Sequence, residues 1–335
     1  MARQEDAVKP TARLPTVLYI TGSGRSGSTL LERILGASPG FVNVGELIEL
    51  FRRVAVQNER CGCGLDFSVC PFWQQVGKRA FGGGDPSLLA RVTSQQVAVA
   101  RQRHLPRLLA PVLAKPDFRG ALDEYGRTYA SLYRAVAAEA DAQVVVDASK
   151  WPAQALALAR TGQIDFRVLH LVRDARGVAY SWAKTGIARP HSVQGADMAT
   201  HRASRTAVRW STFQLEAAAL ARSVPHGATV RYEDLVANPR RTLEAVMDDL
   251  GFDDTPGLLE HVTDQGVDLG PSHGLAGNPS RFKHGEVRLR VDDEWRTRMG
   301  KRPRRVVTAI AGPQLLAYGY ARPRSRSSSS SPIRT

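Results

Sequence analysis

The sequence predicts a three-layer α/β fold, a central parallel sheet flanked by helices, with a helical cap inserted into it. Three observations carry this expectation. Short apolar runs at Val17–Ile20, Val144–Val146, Val168–Val172 and around Thr229–Val230 have the length and continuous hydrophobicity of strands buried on both faces. Segments of helix length follow or separate them, at Thr29–Gly36, Pro152–Arg160, Arg176–Lys184, His201–Arg222 and Pro239–Leu250. Such alternation builds a parallel sheet, whose ligands bind beyond the carboxyl ends of the strands. Residues 50–140 break the rhythm with a cysteine–glycine cluster, a Gly82-Gly-Gly84 break and long helix-compatible stretches. They read as a cap over the carboxyl edge, where selectivity usually resides.

The first strand runs into Gly22-Ser23-Gly24-Arg25-Ser26-Gly27-Ser28-Thr29, a glycine-rich turn opening a helix. Glycines let the backbone pass close to an anion, and the N–H groups and positive dipole end of a helix face it. The spacing Gly22-x4-Gly27-x-Thr29 makes the fold P-loop-like, with one departure. Where a P-loop NTPase carries lysine this chain has Ser28, and the nearest cation is Arg25, inside the loop.

Composition bounds the rest. At 335 residues and 43% hydrophobic content the chain can bury a sizeable core. No apolar run reaches the roughly 18–20 residues of a membrane span, and the N-terminus has no apolar secretory core. A cytoplasmic protein is expected, and three cysteines fit a reducing compartment. Of the net charge of +14, eight positive charges fall in residues 301–335, which hold no acids. Residues 1–14 are expected to be flexible and 15–320 to form one domain. The Arg/Ser-rich tail 321–335 is expected to be disordered, without a specific partner. Oligomeric state is not legible.

Four further segments place polar residues where strands end or loops close. They are Asp147-Ala-Ser-Lys150, Arg173-Asp-Ala-Arg176 running on to Ser181, Arg231-Tyr232-Glu-Asp-Leu, and Gly277-Asn278-Pro-Ser280-Arg281. Together with the glycine loop, and in the same order along roughly residues 15–300, they resemble the sulfotransferases that use 3′-phosphoadenosine 5′-phosphosulfate. The resemblance implies a 5′-phosphosulfate held by Gly22–Thr29 and a 3′-phosphate held by Arg173 and Ser181. It further implies adenine stacked on Tyr232, and a closing loop that includes Asn278, Ser280 and Arg281. Independently, guanidinium groups give phosphate paired, charge-assisted hydrogen bonds. Two arginines and a serine can therefore separate a 3′-phosphorylated adenosine from ATP.

Sulfuryl transfer needs cations and a base. Arg25 and Lys150 are the expected cations, and no metal is required if they take its place. The chain departs from the cytosolic branch of the family, since Ser149-Lys150-Trp151 places tryptophan where that branch has histidine. It is closer to the branch typified by protein-tyrosine sulfotransferases, in which a Gly-Glu segment supplies the base, here Gly45-Glu46. Glu49 is a rival; His170 and His273 rank lower and are read as structural. Cys61, Cys63 and Cys70 invite a zinc reading, but no nearby histidine completes four ligands. They are read as reduced residues shaping the cap. The acceptor, whether a small molecule, carbohydrate or peptide hydroxyl, has no readable code. Two other classes stay open on residues alone. One is a nucleotide-dependent kinase or NTPase with Asp147 as its magnesium-binding acid; the other is a non-catalytic, nucleic-acid-associated basic protein.

Overall fold

The structure is a computed structural model that describes residues 14–83, 85–185, 200–252 and 256–320. The expected flexible N-terminus, apart from Leu14, and the Arg/Ser-rich tail lie outside the described residues. In chain order, β1 (Thr16–Gly22) leads through the glycine loop to α1 (Ser28–Gly36) and β2 (Phe41–Gly45). The inserted region carries α2 (Ala55–Gln57), α3 (Pro71–Phe81), α4 (Leu88–Val99), α5 (Leu105–Leu109) and the 24-residue α6 (Pro116–Glu139). Alternation resumes with β3 (Val144–Lys150), α7 (Pro152–Arg160), β4 (Asp165–Val172), α8 (Ala175–Ala183), α9 (Ala203–Ser223), β5 (Gly227–Arg231), α10 (Tyr232–Ala237) and α11 (Pro239–Asp249). A hairpin of β6 (Gly266–Leu269) and β7 (Gly285–Arg288) precedes α12 (Trp295–Arg298) and α13 (Lys301–Ala317).

The five-stranded sheet has the order β2-β3-β1-β4-β5, with every pairing parallel. β1 is central and wholly buried because apolar side chains alternate between two cores. Val17 and Tyr19 face the inserted region, while Leu18 and Ile20 face α1 and α11. β2 was not among the expected strands. Its run Phe41-Val-Asn-Val-Gly is short and interrupted by Asn43, and it lies at a sheet edge.

The inserted region is helical as expected, but most of it does not cap the carboxyl edge. Tyr125, Tyr129 and Tyr133 of α6 join Trp73 and Val92 in a core against Val17, Tyr19, Val145 and Val168 of the sheet. The segment therefore supplies much of one flanking layer. The tyrosine hydroxyls, which burial would leave unsatisfied, find partners: Tyr133 donates to Asp147 Oδ2 at 2.6 Å, and Gln154 donates to Tyr125 at 3.0 Å. Among the described residues of 50–140, only Arg52 and Arg53 reach the cavity at the carboxyl edge.

Candidate active site

Each of the five parallel strands delivers a candidate residue at its carboxyl end. β1 gives the glycine loop, β2 gives Glu46, β3 ends in Lys150, β4 is followed by Arg173, and β5 by Tyr232. All of these line one cavity of about 800 Å³, within the size range of nucleotide and small-ligand sites. Among the described residues, eleven cationic side chains and three carboxylates line it. Such an excess of positive charge in a concave, low-dielectric wall concentrates anions.

The glycine loop is shaped by two positions that no other residue could fill unchanged. Gly22 has φ +137°, and a Cβ there would lie 2.4 Å from the Leu171 carbonyl oxygen. Gly27 has φ +94°, and a Cβ there would lie 2.5 Å from the Tyr232 ring. Gly27 is also the N-cap of α1, and no side chain caps that helix, so its N-terminal N–H groups open toward the cavity wall formed by Ser28 and Thr29. Ser23 and Gly24 complete the lining; Ser26 is buried beneath the loop, with no hydrogen-bond partner for its hydroxyl.

Arg25 and Lys150 both hold left-handed backbone conformations, with φ of +68° and +70°. Such geometry costs a non-glycine residue roughly 1–3 kcal/mol and concentrates at functional sites. Arg25 stacks its guanidinium over Trp182, 5.0 Å from the ring centroid. Lys150 Nζ lies 2.6 Å from Glu46 Oε1 and donates to the Ala148 carbonyl at 3.1 Å. Glu46 is positioned in turn by its backbone, whose N–H donates to the Leu275 carbonyl at 2.8 Å. Its rival Glu49 also lines the cavity, but its carboxylate is engaged by Arg52 and Arg53.

Arg173 is 6% exposed and knits the site together. It donates to the Arg25 carbonyl at 3.0 Å, pairs with the Asp292 carboxylate at 2.9 Å, and lies 4.6 Å from the Tyr232 ring centroid. Asp174 is occupied instead by Arg176, at 2.6 Å. Ser181, Asn278 and Ser280 line the same cavity, and the Asn278 N–H donates to Thr29 Oγ1 at 3.2 Å.

Arg281 is placed differently from the sequence expectation. It is 1% exposed, is absent from the cavity wall, and donates to the carbonyls of Ala276 and Arg60. Burial lowers its pKa to about 10. The 3-10 turn Pro279–Phe282 aims it inward, whereas Lys283, Arg288 and Arg290 of the same hairpin region reach the cavity. These three were not singled out from the sequence, nor were Arg205 and Arg209, which also line the cavity. Their charges fall in segments with no motif, and only the fold gathers them.

Two acidic residues lie behind the wall. Asp147 is fully buried, with Tyr133 on one oxygen and the Ser149 N–H and hydroxyl on the other. Burial raises its pKa to about 6. A carboxylate so engaged and absent from the cavity lining is not presented as a magnesium ligand, which removes one of the two observations behind a kinase. Glu32 on α1, missed by the sequence reading, is 2% exposed. Burial, with Glu46 and Asp147 adding, pushes its pKa up to about 8 against the opposing pull of Lys150 and Arg281. His170 is buried in β4 against Gln214, and burial lowers its pKa to about 4, a structural placement.

The fourth ligand missing from the cysteine cluster is present in space. His273 Nδ1 lies 3.5 Å from both Cys61 Sγ and Cys70 Sγ, and Cys63 Sγ lies 3.7 Å from Cys70 Sγ. The sequence separation of 203 residues between Cys70 and His273 hid this group.

No family model matches the chain, and no curated protein does. Among solved structures it is similar to the sulfotransferase domain from the Synechococcus PCC 7002 olefin synthase, at 18% identity and a TM-score of 0.49, covering 94% of this chain and 98% of that one. It is similar also to the sulfotransferase domain from the curacin biosynthetic pathway, at 17% identity and a TM-score of 0.47, covering 90% and 98%. A third likeness is to sulfotransferase STF1 from Mycobacterium tuberculosis H37Rv, at 17% identity and a TM-score of 0.39, covering 74% and 70%. These likenesses are distant in sequence and in shape, and the functional reading rests on the site residues.

Proposed function

We propose that this chain is a sulfotransferase that moves a sulfuryl group from 3′-phosphoadenosine 5′-phosphosulfate to a hydroxyl of a small-molecule, carbohydrate or peptide acceptor. The observation that carries this reading is the Glu46–Lys150 pair, 2.6 Å apart, on the wall of a cation-rich cavity that also holds the glycine loop. A base and a cation in contact, beside an anion cradle, are what hydroxyl attack on an anionic donor requires.

The residues present fit the donor. Its 5′ end belongs on the loop from Gly22 to Thr29, where the backbone leaves room that a Cβ would fill. Arg173 and Ser181 take the 3′-phosphate, Tyr232 supports the adenine, and Asn278 and Ser280 close the wall. The cationic part of that closure passes from Arg281 to Lys283, Arg288 and Arg290. When bound, the donor supplies an electrophilic sulfuryl group and a phosphate leaving group. Glu46 receives the proton of the acceptor hydroxyl at a carboxylate oxygen. Lys150 and Arg25 set positive charge against the negative charge that develops, and their fixed backbones hold that charge in place before reaction.

Thermal melts test the donor site. 3′-Phosphoadenosine 5′-phosphate at about 100 times its dissociation constant should stabilise the protein by about 2.7 kcal/mol without magnesium. ADP and AMP should do less. Stabilisation by magnesium-ATP alone would overturn the reading in favour of a kinase. Glu46→Gln should lower turnover by roughly 10²–10⁴-fold while leaving the nucleotide-induced shift near wild type. Full activity in that variant would eliminate Glu46 as the base.

A further inference from the structure

We propose that Cys61, Cys63, Cys70 and His273 bind one structural zinc ion, which fastens the inserted region to the loop that positions Glu46. Three sulfurs and one imidazole nitrogen form the donor set of a structural zinc site, and their ligand atoms lie within 4.8 Å of one another. Three of the six ligand-atom spacings match a tetrahedron. Zinc–sulfur bonds of about 2.3 Å and zinc–nitrogen bonds of about 2.05 Å require sulfurs about 3.8 Å apart and sulfur–nitrogen separations of about 3.6 Å. The observed values are 3.7 Å for Cys63–Cys70 and 3.5 Å for each of Cys61 and Cys70 to His273. A disulfide needs about 2.05 Å, so the pair at 3.7 Å is not one.

The surrounding chain holds the ligands in this arrangement. His273 has its ring stacked on Phe72, with centroids 4.4 Å apart and planes at 6°, and its carbonyl accepts from Trp73 Nε1 at 2.9 Å. The stack fixes the plane of the ring and the hydrogen bond fixes its backbone, with Nδ1 toward the sulfurs. The turn Cys61-Gly62-Cys63-Gly64 closes through Gly64 N–H to the Cys61 carbonyl at 2.9 Å, with Gly64 at φ +91°. Gly62 lets the turn approach the histidine loop, since a Cβ there would lie 2.7 Å from the Ser272 carbonyl oxygen. Its N–H donates to the Gly274 carbonyl at 3.0 Å. Cys70 precedes α3 and serves as its N-cap.

Four protein ligands leave no open position, so the ion is structural rather than a Lewis acid in the reaction. Binding releases the three thiol protons, and the loaded centre carries one net negative charge. Two residues beyond His273, Leu275 pairs with Gly45 and accepts the Glu46 N–H at 2.8 Å. The ion would thereby clamp the strip of chain on which the proposed base is hung.

The test uses the full chain, purified under reducing conditions without added metal, and reads metal content rather than activity. Elemental analysis should find about one zinc per chain. Exchange for cobalt should give the intense visible bands and sulfur-to-cobalt charge transfer of a tetrahedral thiolate site. His273→Ala and Cys63→Ser should weaken zinc binding by at least about 100-fold, whereas His273→Cys should keep both the metal and the tetrahedral spectrum. A folded wild-type chain without zinc and with only a six-coordinate cobalt spectrum would overturn the proposal. So would equal zinc affinity in His273→Ala, or a Cys63–Cys70 disulfide persisting under those conditions. If His273→Ala fails to fold, the His273→Cys comparison still decides.

Discussion

Glu32 places a carboxyl group in the interior beside the Glu46–Lys150 pair, with its Oε2 lacking a hydrogen-bond partner. Its folded pKa, about 8, stands above the ordinary 4.5 because burial penalises the charged form. The sign follows from linkage. The folded state binds this proton more tightly than the unfolded chain does, so the associated stability is complete below pH 4.5 and is lost as pH rises toward 8. Asp147, raised to about 6, adds a loss in the same direction over a narrower window. Glutamine at position 32 removes the titration while keeping the shape. Glu32→Gln should therefore be more stable than wild type at pH 8, by an order of a few kcal/mol, with the two converging near pH 4.5. Urea denaturation across that range checks it, and a pH-independent difference would show that Glu32 does not carry this proton.

The β1–α1 loop is the element on which the site depends most. Gly27 combines a left-handed backbone with direct packing on the Tyr232 ring, so a methyl group meets both a strained φ and a ring 2.5 Å away. Gly27→Ala should cost about 1–3 kcal/mol of stability and should remove most of the nucleotide-induced thermal shift, because Tyr232 must give way. Gly120 in α6 is the matched control: a Cβ there meets nothing within 4 Å, and alanine suits a helix interior. A loss at Gly120→Ala equal to that at Gly27→Ala would refute the assignment of the loop as a shaped cradle. The elements legible from sequence are those whose local pattern agrees with their place. β1, β3 and β4 are continuous apolar runs because both their faces are covered. β2 escaped notice because an edge strand needs no such run, and Asn43 breaks it.

Across the whole molecule, the candidate site was readable wherever topology alone decided the position. Lys150, Arg173 and Tyr232 stand at the ends of strands legible in the sequence, and parallel pairing brings those ends to one edge, whereas Glu46 follows the unrecognised β2 and was reached only through the Gly-Glu resemblance. Residues whose role depends on which way a distant loop turns were not readable. Arg281 carries a plausible charge in a plausible loop, yet its guanidinium is committed to interior carbonyls. His273 carries no local signal of the cysteines it meets, and α6 has the composition of a cap while packing as a layer. The position of β1 between β3 and β4 has one more consequence, for the order in which the chain is made. β1 precedes both of its partners in the chain and can be paired on neither side until residue 144 or beyond has been synthesised. At 5–20 residues per second that is a delay of roughly 6–25 s, during which a strand that is wholly buried in the fold has no partner strand. The glycine loop at its end is therefore translated well before the strands that flank β1 can fix its place. A nascent chain interrupted before β3 would expose β1 as a strand without a partner.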